Sequence, residues 1–363
     1  MKKSDFEYEL PVERIAQHPP ERRGDSRLLF LSAGSGAPLH LSFSDLPSLL
    51  RPGDCLVRND TRVLPARLLG RSPGTGGAIE LLLLRRLLGD DWEVLVKPGR
   101  RAHAGSRFEF QNATGSGVLS AEILSVLDNG NRTVRFHFDG LWESVLDAVG
   151  SVPLPPYIKE RLDDKERYQT VYARNDGSAA APTAGLHFTP EMTDHLVGRG
   201  IHVVDLTLHV GLGTFRPVKT EEIRDHVMHS EYYELPASTA EAVNRTRAAG
   251  GRIVAVGTTA CRVLETVAAE DGTVAKASGW TDIFLVPGYR FKVVDLLLTN
   301  FHLPGSTLMM LVSAFSGRER ILDAYRRAIE EKYRFFSFGD AMLLERSDGV
   351  DAPCREEGRG ADA

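Results

Sequence analysis

Residues 252–269 have the sequence RIVAVGTTACRVLETVAA, which joins a short apolar run to a helical pattern. The run from Arg252 to Val256 predicts a buried β-strand. From Thr259 to Ala269 the apolar residues recur at helical spacing, which predicts an amphipathic helix. A buried strand that leads directly into such a helix is typical of an α/β domain.

The same alternation of strand and helix patterns recurs along much of the chain. Further strands are predicted at 201–210 and 293–299, and further helices at 237–249 and 318–332. The N-terminal part resembles this portion, with a helical pattern at 45–50 and a strand pattern at 54–58. We therefore predict an α/β fold whose main domain is assembled from separate parts of the chain.

Between these parts lies a region of short β-type runs with almost no helical periodicity. The pair Asn129-Gly130 suits the positive φ angles of a tight hairpin turn. The predicted strands are 78–85, 92–97, 107–110, 118–127 and 132–138. Short strands of this number would expose edges unless the sheet closed. We predict a small antiparallel β-barrel inserted into a discontinuous α/β domain.

The domain boundaries follow from these patterns. The α/β catalytic domain is predicted at 1–67 and 151–346, the barrel at 68–150, and a disordered tail rich in glycine and charge at 347–363. The Pro-rich segment from Val152 to Tyr157 marks the return from the barrel to the α/β domain.

Composition excludes several classes of protein. A chain of 363 residues with 42% hydrophobic and 26% charged residues is ordinary for a globular protein. Its apolar runs are far shorter than the roughly 20 residues of a membrane span, and its N-terminus lacks the apolar core of a secretory signal. We expect a cytoplasmic enzyme. Three distant cysteines offer neither a disulfide framework nor a CxxC zinc site, and a net charge of -5 leaves room for only a local RNA-binding patch.

Polar residues follow two of the predicted strands, where α/β sheets bind ligands. The segment Gly257-Thr258-Thr259 opens a helix and could hold a carboxylate or phosphate. An ordinary threonine N-cap is the simpler interpretation of this motif alone. Asn300 and His302 lie together in a short turn after 293–299, which favours a site, although Asn300 could instead cap a helix.

A third cluster, at 209–217, follows the strand pattern 201–208. Its glycines Gly211 and Gly213 permit close approach of a ligand to the backbone, and Arg216 could clamp an anion. The third glycine of a dinucleotide fingerprint is missing. Downstream, His226, His229 and Glu231 have a spacing that suggests a metal site, but the same residues equally suit acid/base work or surface hydrogen bonding.

A histidine-bearing loop runs from Thr183 to Thr189. Thr189 and Pro190 predict the N-cap and first residue of a helix, so His187 precedes a positive helix end. That position favours neutral imidazole, which suits a general base. A buried histidine that bonds a backbone carbonyl is the alternative. In the barrel, Lys97, Arg100, Arg101 and Arg107 lack acidic neighbours in sequence and form a candidate tRNA phosphate contact, or simply solvated surface.

Together these segments resemble the S-adenosylmethionine:tRNA ribosyltransferase-isomerase family, which makes epoxyqueuosine in tRNA. The resemblance covers nearly the whole chain in family order. The matching segments are Tyr8-Glu9-Leu10-Pro11, Ile15-Ala16-Gln17, Ser26-Arg27-Leu28-Leu29, Asn59-Asp60-Thr61-Arg62-Val63, 153–158, 168–173, 181–189, 208–219, 226–231, Gly257-Thr258-Thr259, 298–306 and 335–343. Ala260-Cys261-Arg262 stands where the family pattern has Ser-Val-Arg, which puts a role for Cys261 in doubt.

The resemblance implies an enzyme that moves the ribosyl part of S-adenosylmethionine onto 7-aminomethyl-7-deazaguanine (preQ1) at the tRNA wobble position. Adenine and methionine leave. It implies S-adenosyl-L-methionine as co-substrate, tRNA as partner, no metal, no obligate protein partner and a monomer. It also implies a β-barrel set into an α/β domain.

Residue roles follow from that chemistry as hypotheses. Proton transfer to and from the substrates is assigned to His187, His209, His229 and His302. Arg216, Thr258 and Thr259 would hold the methionine carboxylate, and Asp60 or Glu231 would meet the positive charges. The full set of predicted substrate contacts is Asn59, Asp60, Arg62, Thr183, Gly185, Gly213, Thr214, Arg216, Glu231, Thr258, Thr259 and Asn300.

Two other interpretations remain. A metal-dependent hydrolase would use His226, His229 and Glu231 with a water nucleophile. A non-enzymatic RNA-binding module built on the barrel would bind without turnover, and it leaves the polar clusters of the α/β part without a role.

Overall fold

The structure is a computed structural model, and it describes residues 1–34, 36–112, 114–160, 162, 164–211 and 218–347. By spatial compactness these residues form two units. The first comprises the described parts of 1–60, 182–208 and 217–363, and the second those of 61–181 and 209–216. The predicted tail at 348–363 lies outside the described residues. The domain boundaries drawn from the sequence stay a prediction.

The elements are numbered in chain order. The strands are β1 (Arg27–Leu31), β2 (Leu39–Ser42), β3 (Cys55–Asn59), β4 (Thr61–Val63), β5 (Arg67–Arg71), β6 (Ala78–Arg86), β7 (Asp91–Lys97), β8 (Arg107–Gln111), β9 (Gly117–Val126), β10 (Arg132–Phe138), β11 (Gly150–Ser151), β12 (Asn175–Ser178), β13 (His202–Leu208), β14 (Glu231–Leu235), β15 (Ile253–Val256), β16 (Ala277–Thr281), β17 (Leu296–Asn300) and β18 (Ala341–Glu345). The α-helices are α1 (Leu46–Leu49), α2 (Trp142–Val149), α3 (Pro190–Gly198), α4 (Ala237–Ala248), α5 (Gly257–Val267), α6 (Thr307–Ser316) and α7 (Arg318–Glu330). Short 3-10 helices lie at Lys3–Phe6, Val12–Arg14, Phe43–Asp45, Gly99–Arg101, Lys165–Tyr168, Thr183–His187 and Ile223–Asp225.

The first unit is built on a nine-stranded mixed sheet in the order β16-β14-β13-β3-β15-β17-β18-β1-β2. Strands β13, β3, β15 and β17 are parallel neighbours, and β18 runs antiparallel to β17. Every residue of β3, β15 and β17 is buried. A continuous apolar run of this kind is what a strand needs when both faces of its sheet are covered. The α/β prediction is confirmed, with strand 252–256 at the centre of the sheet.

The second unit contains the barrel. Strands β5, β6, β7, β10, β9 and β8 pair in that order, and β5 also pairs with β8, which closes the sheet. Side chains alternate between buried and exposed along β8, as a strand with one face toward a core requires. Aromatic rings of Phe136 and Trp142 pack inside with centroids 5.1 Å apart. The Asn129-Gly130 turn joins β9 and β10 in an antiparallel pair, and Gly130 has a φ of 85°.

No helix among the described residues is long and apolar enough to cross a membrane.

Candidate functional site

The first unit gathers predicted site residues at one edge of its sheet. Because β3, β13, β15 and β17 are parallel, their carboxyl ends lie on the same edge. Asn59 ends β3, Gly257 follows β15, and Asn300 ends β17. This is the edge where an open α/β sheet binds ligands.

His187 is held there between two polar side chains distant in sequence. Its Nδ1 lies 2.8 Å from Ser26 Oγ, and its Nε2 lies 3.2 Å from Asn300 Nδ2. Asn300 Nδ2 also donates to the carbonyl of Phe336 at 3.1 Å. An amide nitrogen can only donate, so Nε2 of His187 accepts and Nδ1 carries the proton that is donated to Ser26. The tautomer of His187 is thereby determined by its two neighbours.

The local fold places His187 in this position. Thr183 to His187 form a 3-10 helix, and α3 begins directly after it. The Thr189 hydroxyl accepts the backbone N–H of Met192 at 3.1 Å, and Pro190 is the first helical residue. The predicted N-cap is confirmed. Gly185, predicted to contact substrate, is buried in the same 3-10 helix.

His187 and His302 are kept neutral by their surroundings. Burial lowers the pKa of His187 to about 3, and the positive charges of Arg23 and Arg334 contribute. Burial likewise lowers the pKa of His302 to about 3. His302 Nε2 lies 2.9 Å from the hydroxyl of Thr299. Both imidazoles are therefore unprotonated at neutral pH, and neither can serve there as an imidazolium acid.

The residues at the end of β3 bond to the neighbouring strand. Asn59 Nδ2 donates to the carbonyl of Leu208 at 3.0 Å, and its Oδ1 accepts the backbone N–H of Leu208 at 3.0 Å. Asp60 Oδ1 accepts the hydroxyl of Thr207 at 2.7 Å. Two side chains predicted to contact substrate thus also secure the pairing of β3 and β13.

Helix α5 begins without a threonine cap. Its N-cap is Val256, and no side chain caps the helix, so the simple N-cap interpretation of Thr258 and Thr259 is wrong. Gly257 has a φ of 88°, and an added Cβ would lie 3.7 Å from Ala184 Cβ, so the turn favours glycine. The buried Thr259 hydroxyl has no hydrogen-bond partner within the part of the chain that the structure describes.

Glu231 forms a buried ion pair with Arg262 of α5. Their side chains are 3% and 6% exposed, and Arg262 Nη1 donates to Glu231 Oε2. His229 is exposed, and burial together with the charge of His229 lowers the pKa of His226. Among the described residues, no group of three or more His, Cys, Asp or Glu side chains is placed to hold a metal ion. Cys261 is fully buried, and burial raises the pKa of its thiol.

The second unit holds the remaining predicted residues. His209 Nδ1 lies 2.8 Å from Thr61 Oγ1. A Cβ on Gly177 would lie 2.8 Å from the His209 ring, so only glycine fits beside it. Arg62 forms an ion pair with Glu166 at 2.7 Å. Gly213, Thr214 and Arg216 lie outside the described residues.

The four basic residues of the barrel are exposed, and two have partners. Arg101 donates to the carbonyl of Ala78 at 3.0 Å. Arg107 has an acidic partner, Glu122, at 3.1 Å, so it is not free of acidic neighbours in space. Lys97 and Arg100 are also exposed. Their contact with tRNA phosphate stays a prediction.

Sequence reasoning missed two residues of this edge. Ser26 appeared only in a matching motif, and Arg262 only beside Cys261. Ser26 lies 161 positions from His187, and Arg262 lies 31 from Glu231. No local pattern could have paired them. A buried cation on an otherwise apolar helix face was the one available indication for Arg262.

Comparison with known proteins places the chain among tRNA-modifying enzymes. The family model described as "Queuosine biosynthesis protein" matches residues 3–344. An S-adenosylmethionine:tRNA ribosyltransferase-isomerase of Acetivibrio thermocellus is 59% identical over 345 residues, covering 95% of this chain and 100% of that protein. The enzyme of the same name from Clostridium kluyveri is 57% identical over 345 residues, with the same coverage of 95% and 100%. The crystal structure of S-adenosylmethionine tRNA ribosyltransferase from Thermotoga maritima is 37% identical, covers 94% of this chain and 100% of that chain, and has a TM-score of 0.53.

Proposed function

This chain belongs to the queuosine biosynthesis protein family and is an S-adenosylmethionine:tRNA ribosyltransferase-isomerase, and we propose that its acceptor is preQ1 at the tRNA wobble position. The product would be epoxyqueuosine-tRNA, with release of adenine and methionine. The observation that carries this proposal is the match over residues 3–344. The resemblance found in the sequence is confirmed.

The reaction requires groups that move two protons. The sulfonium of S-adenosylmethionine acidifies the adjacent C5′ protons, so a base removes one to form an ylide. Adenine must be protonated as it leaves, and the acceptor amine must be neutral to attack. Methionine also carries a carboxylate and an ammonium that need fixed partners.

The neutral histidines support part of this chemistry. His187 and His302, with pKa values lowered to about 3, hold a free electron pair at neutral pH. They suit roles as hydrogen-bond partners or proton acceptors. The acid that protonates adenine must then be another group, and His209 and His229 are the remaining histidine candidates.

Several finer points belong to the same proposal. We expect the enzyme to act in the cytoplasm as a monomer without an obligate protein partner. We also expect the exposed basic residues of the barrel, Lys97, Arg100, Arg101 and Arg107, to contact tRNA phosphates.

The decisive experiment supplies both substrates and identifies the products. The protein is incubated with S-adenosylmethionine and tRNA that bears preQ1, and the nucleosides are analysed by mass. Epoxyqueuosine and free adenine are expected in equal amounts. The matched control is the same tRNA with guanine at the wobble position, which should give neither. If neither product formed with the preQ1-bearing tRNA, the proposal would be wrong.

Variants then test the histidine roles. Single-turnover rates with bound tRNA are measured for His187→Ala and His229→Ala. Each is expected to slow the reaction by roughly 100-fold or more, as the loss of general acid–base catalysis does. Near-normal rates for both would remove them from proton transfer. His103→Ala serves as the control because His103 is an exposed histidine of the barrel.

A further inference from the structure

Arg262 carries a buried guanidinium with one edge left over. The residue is 5% exposed, and its Nη1 donates to Glu231. Its Nε and Nη2 are buried and have no hydrogen-bond partner among the residues that the structure describes. Arginine is always charged in proteins, and buried donors of a charged group are costly to leave unpaired. The site therefore favours an anion.

The geometry of that edge matches a carboxylate. In this chain the Nε and Nη2 atoms of Arg58 donate to the two oxygens of Asp205, at 2.8 and 3.2 Å. Arg135 binds Asp91 through the same two atoms, at 2.7 and 2.9 Å. These parallel hydrogen bonds are the usual bidentate arrangement of guanidinium with carboxylate. Arg262 presents the same pair of donors.

The surroundings reinforce this preference for an anion. Long side chains on a helix lean toward its N-terminus, which brings the Arg262 guanidinium toward Thr258 and Thr259 in the first turn of α5. The unpartnered hydroxyl of Thr259 adds a donor, and the start of a helix carries partial positive charge. This first turn lies at the carboxyl end of β15, within the candidate site.

We propose that Arg262 binds the carboxylate of the methionine moiety of S-adenosylmethionine through Nε and Nη2. Glu231 is then a positioning residue that holds Nη1 and orients the guanidinium, instead of meeting the ammonium of the substrate. The proposal rests on the proposed function, because S-adenosylmethionine brings the carboxylate. A tRNA phosphate is the other anion of the reaction, and the experiment below separates the two.

The test compares S-adenosylmethionine with its decarboxylated analogue in wild type and Arg262→Lys. Lysine keeps the charge but lacks the bidentate edge. At saturating preQ1-bearing tRNA, the KM for S-adenosylmethionine and the inhibition constant of the analogue are measured. Wild type should prefer the carboxylated compound by about 10- to 100-fold, as charge-assisted hydrogen bonds allow. Arg262→Lys should lose most of that preference, through weaker binding of S-adenosylmethionine and unchanged binding of the analogue.

Controls keep the outcomes distinct. Arg135→Lys removes an equivalent bidentate edge from an exposed pair, and it should keep the wild-type preference. Arg262→Lys with an undiminished preference would overturn the proposal, and a raised KM for tRNA alone would assign the edge to phosphate. If Arg262→Lys did not fold, Glu231→Gln would replace it, with a partial loss of preference expected and full retention counting against the proposal. If wild type gave no turnover, the proposed function would fail, while equilibrium binding of the two compounds would still decide the carboxylate contact.

Discussion

Acid should destabilise the first unit through the proton that buried His187 excludes. The pKa of His187 is about 3 in the folded protein, against 6.5 for an ordinary histidine. Between these values the unfolded chain binds a proton that the folded chain does not, so stability is complete above about pH 6.5 and falls as the pH drops toward 3. At pH 5 this linkage amounts to ~2 kcal/mol relative to pH 7.5.

The assay is urea unfolding followed by circular dichroism at pH 7.5 and at pH 5. The measured quantity is the free energy of unfolding lost between the two pH values. His187→Gln removes the titrating group, so its loss should be smaller than the wild-type loss by ~2 kcal/mol. His103→Gln replaces an exposed histidine and should behave as wild type. An equal pH-dependent loss in His187→Gln and wild type would refute the reasoning, because the proton would then not distinguish the folded from the unfolded state.

Two further predictions concern buried contacts. Glu265→Ala should cost about 3 kcal/mol of unfolding free energy by thermal or urea denaturation, because it strips three consecutive buried backbone N–H groups of their acceptor; Glu270→Ala, which removes an exposed ion pair, should cost less than ~1 kcal/mol, and equal losses would contradict this. Gly70→Ala should destabilise the barrel by about 1–3 kcal/mol, because the new Cβ would lie 2.6 Å from the Phe110 ring; Gly74→Ala, with no atom within 4 Å, is the control, and matching melting curves for the two variants would show that the contact is relieved freely.

Sequence patterning located most elements because alternation and helical spacing are local properties. The predicted strand 78–85 is β6 at Ala78–Arg86, and the predicted helix 237–249 is α4 at Ala237–Ala248. Helix α6 at Thr307–Ser316 was not predicted, since seven of its ten residues are buried and the amphipathic pattern is weak. Strands β14, β16 and β18 were also missed. Their pairings join distant parts of the chain, which periodicity does not report.

The sequence by itself determined the fold class, the family and the histidine loop from Thr183 to Thr189, because each rests on residues that are neighbours along the chain. Only the tertiary structure decided the state of those groups. It joined His187 to Ser26 and Asn300, and Arg262 to Glu231. The charge of a histidine or the orientation of an arginine depends on burial and on partners brought close by folding, and neither quantity is a property of the local sequence.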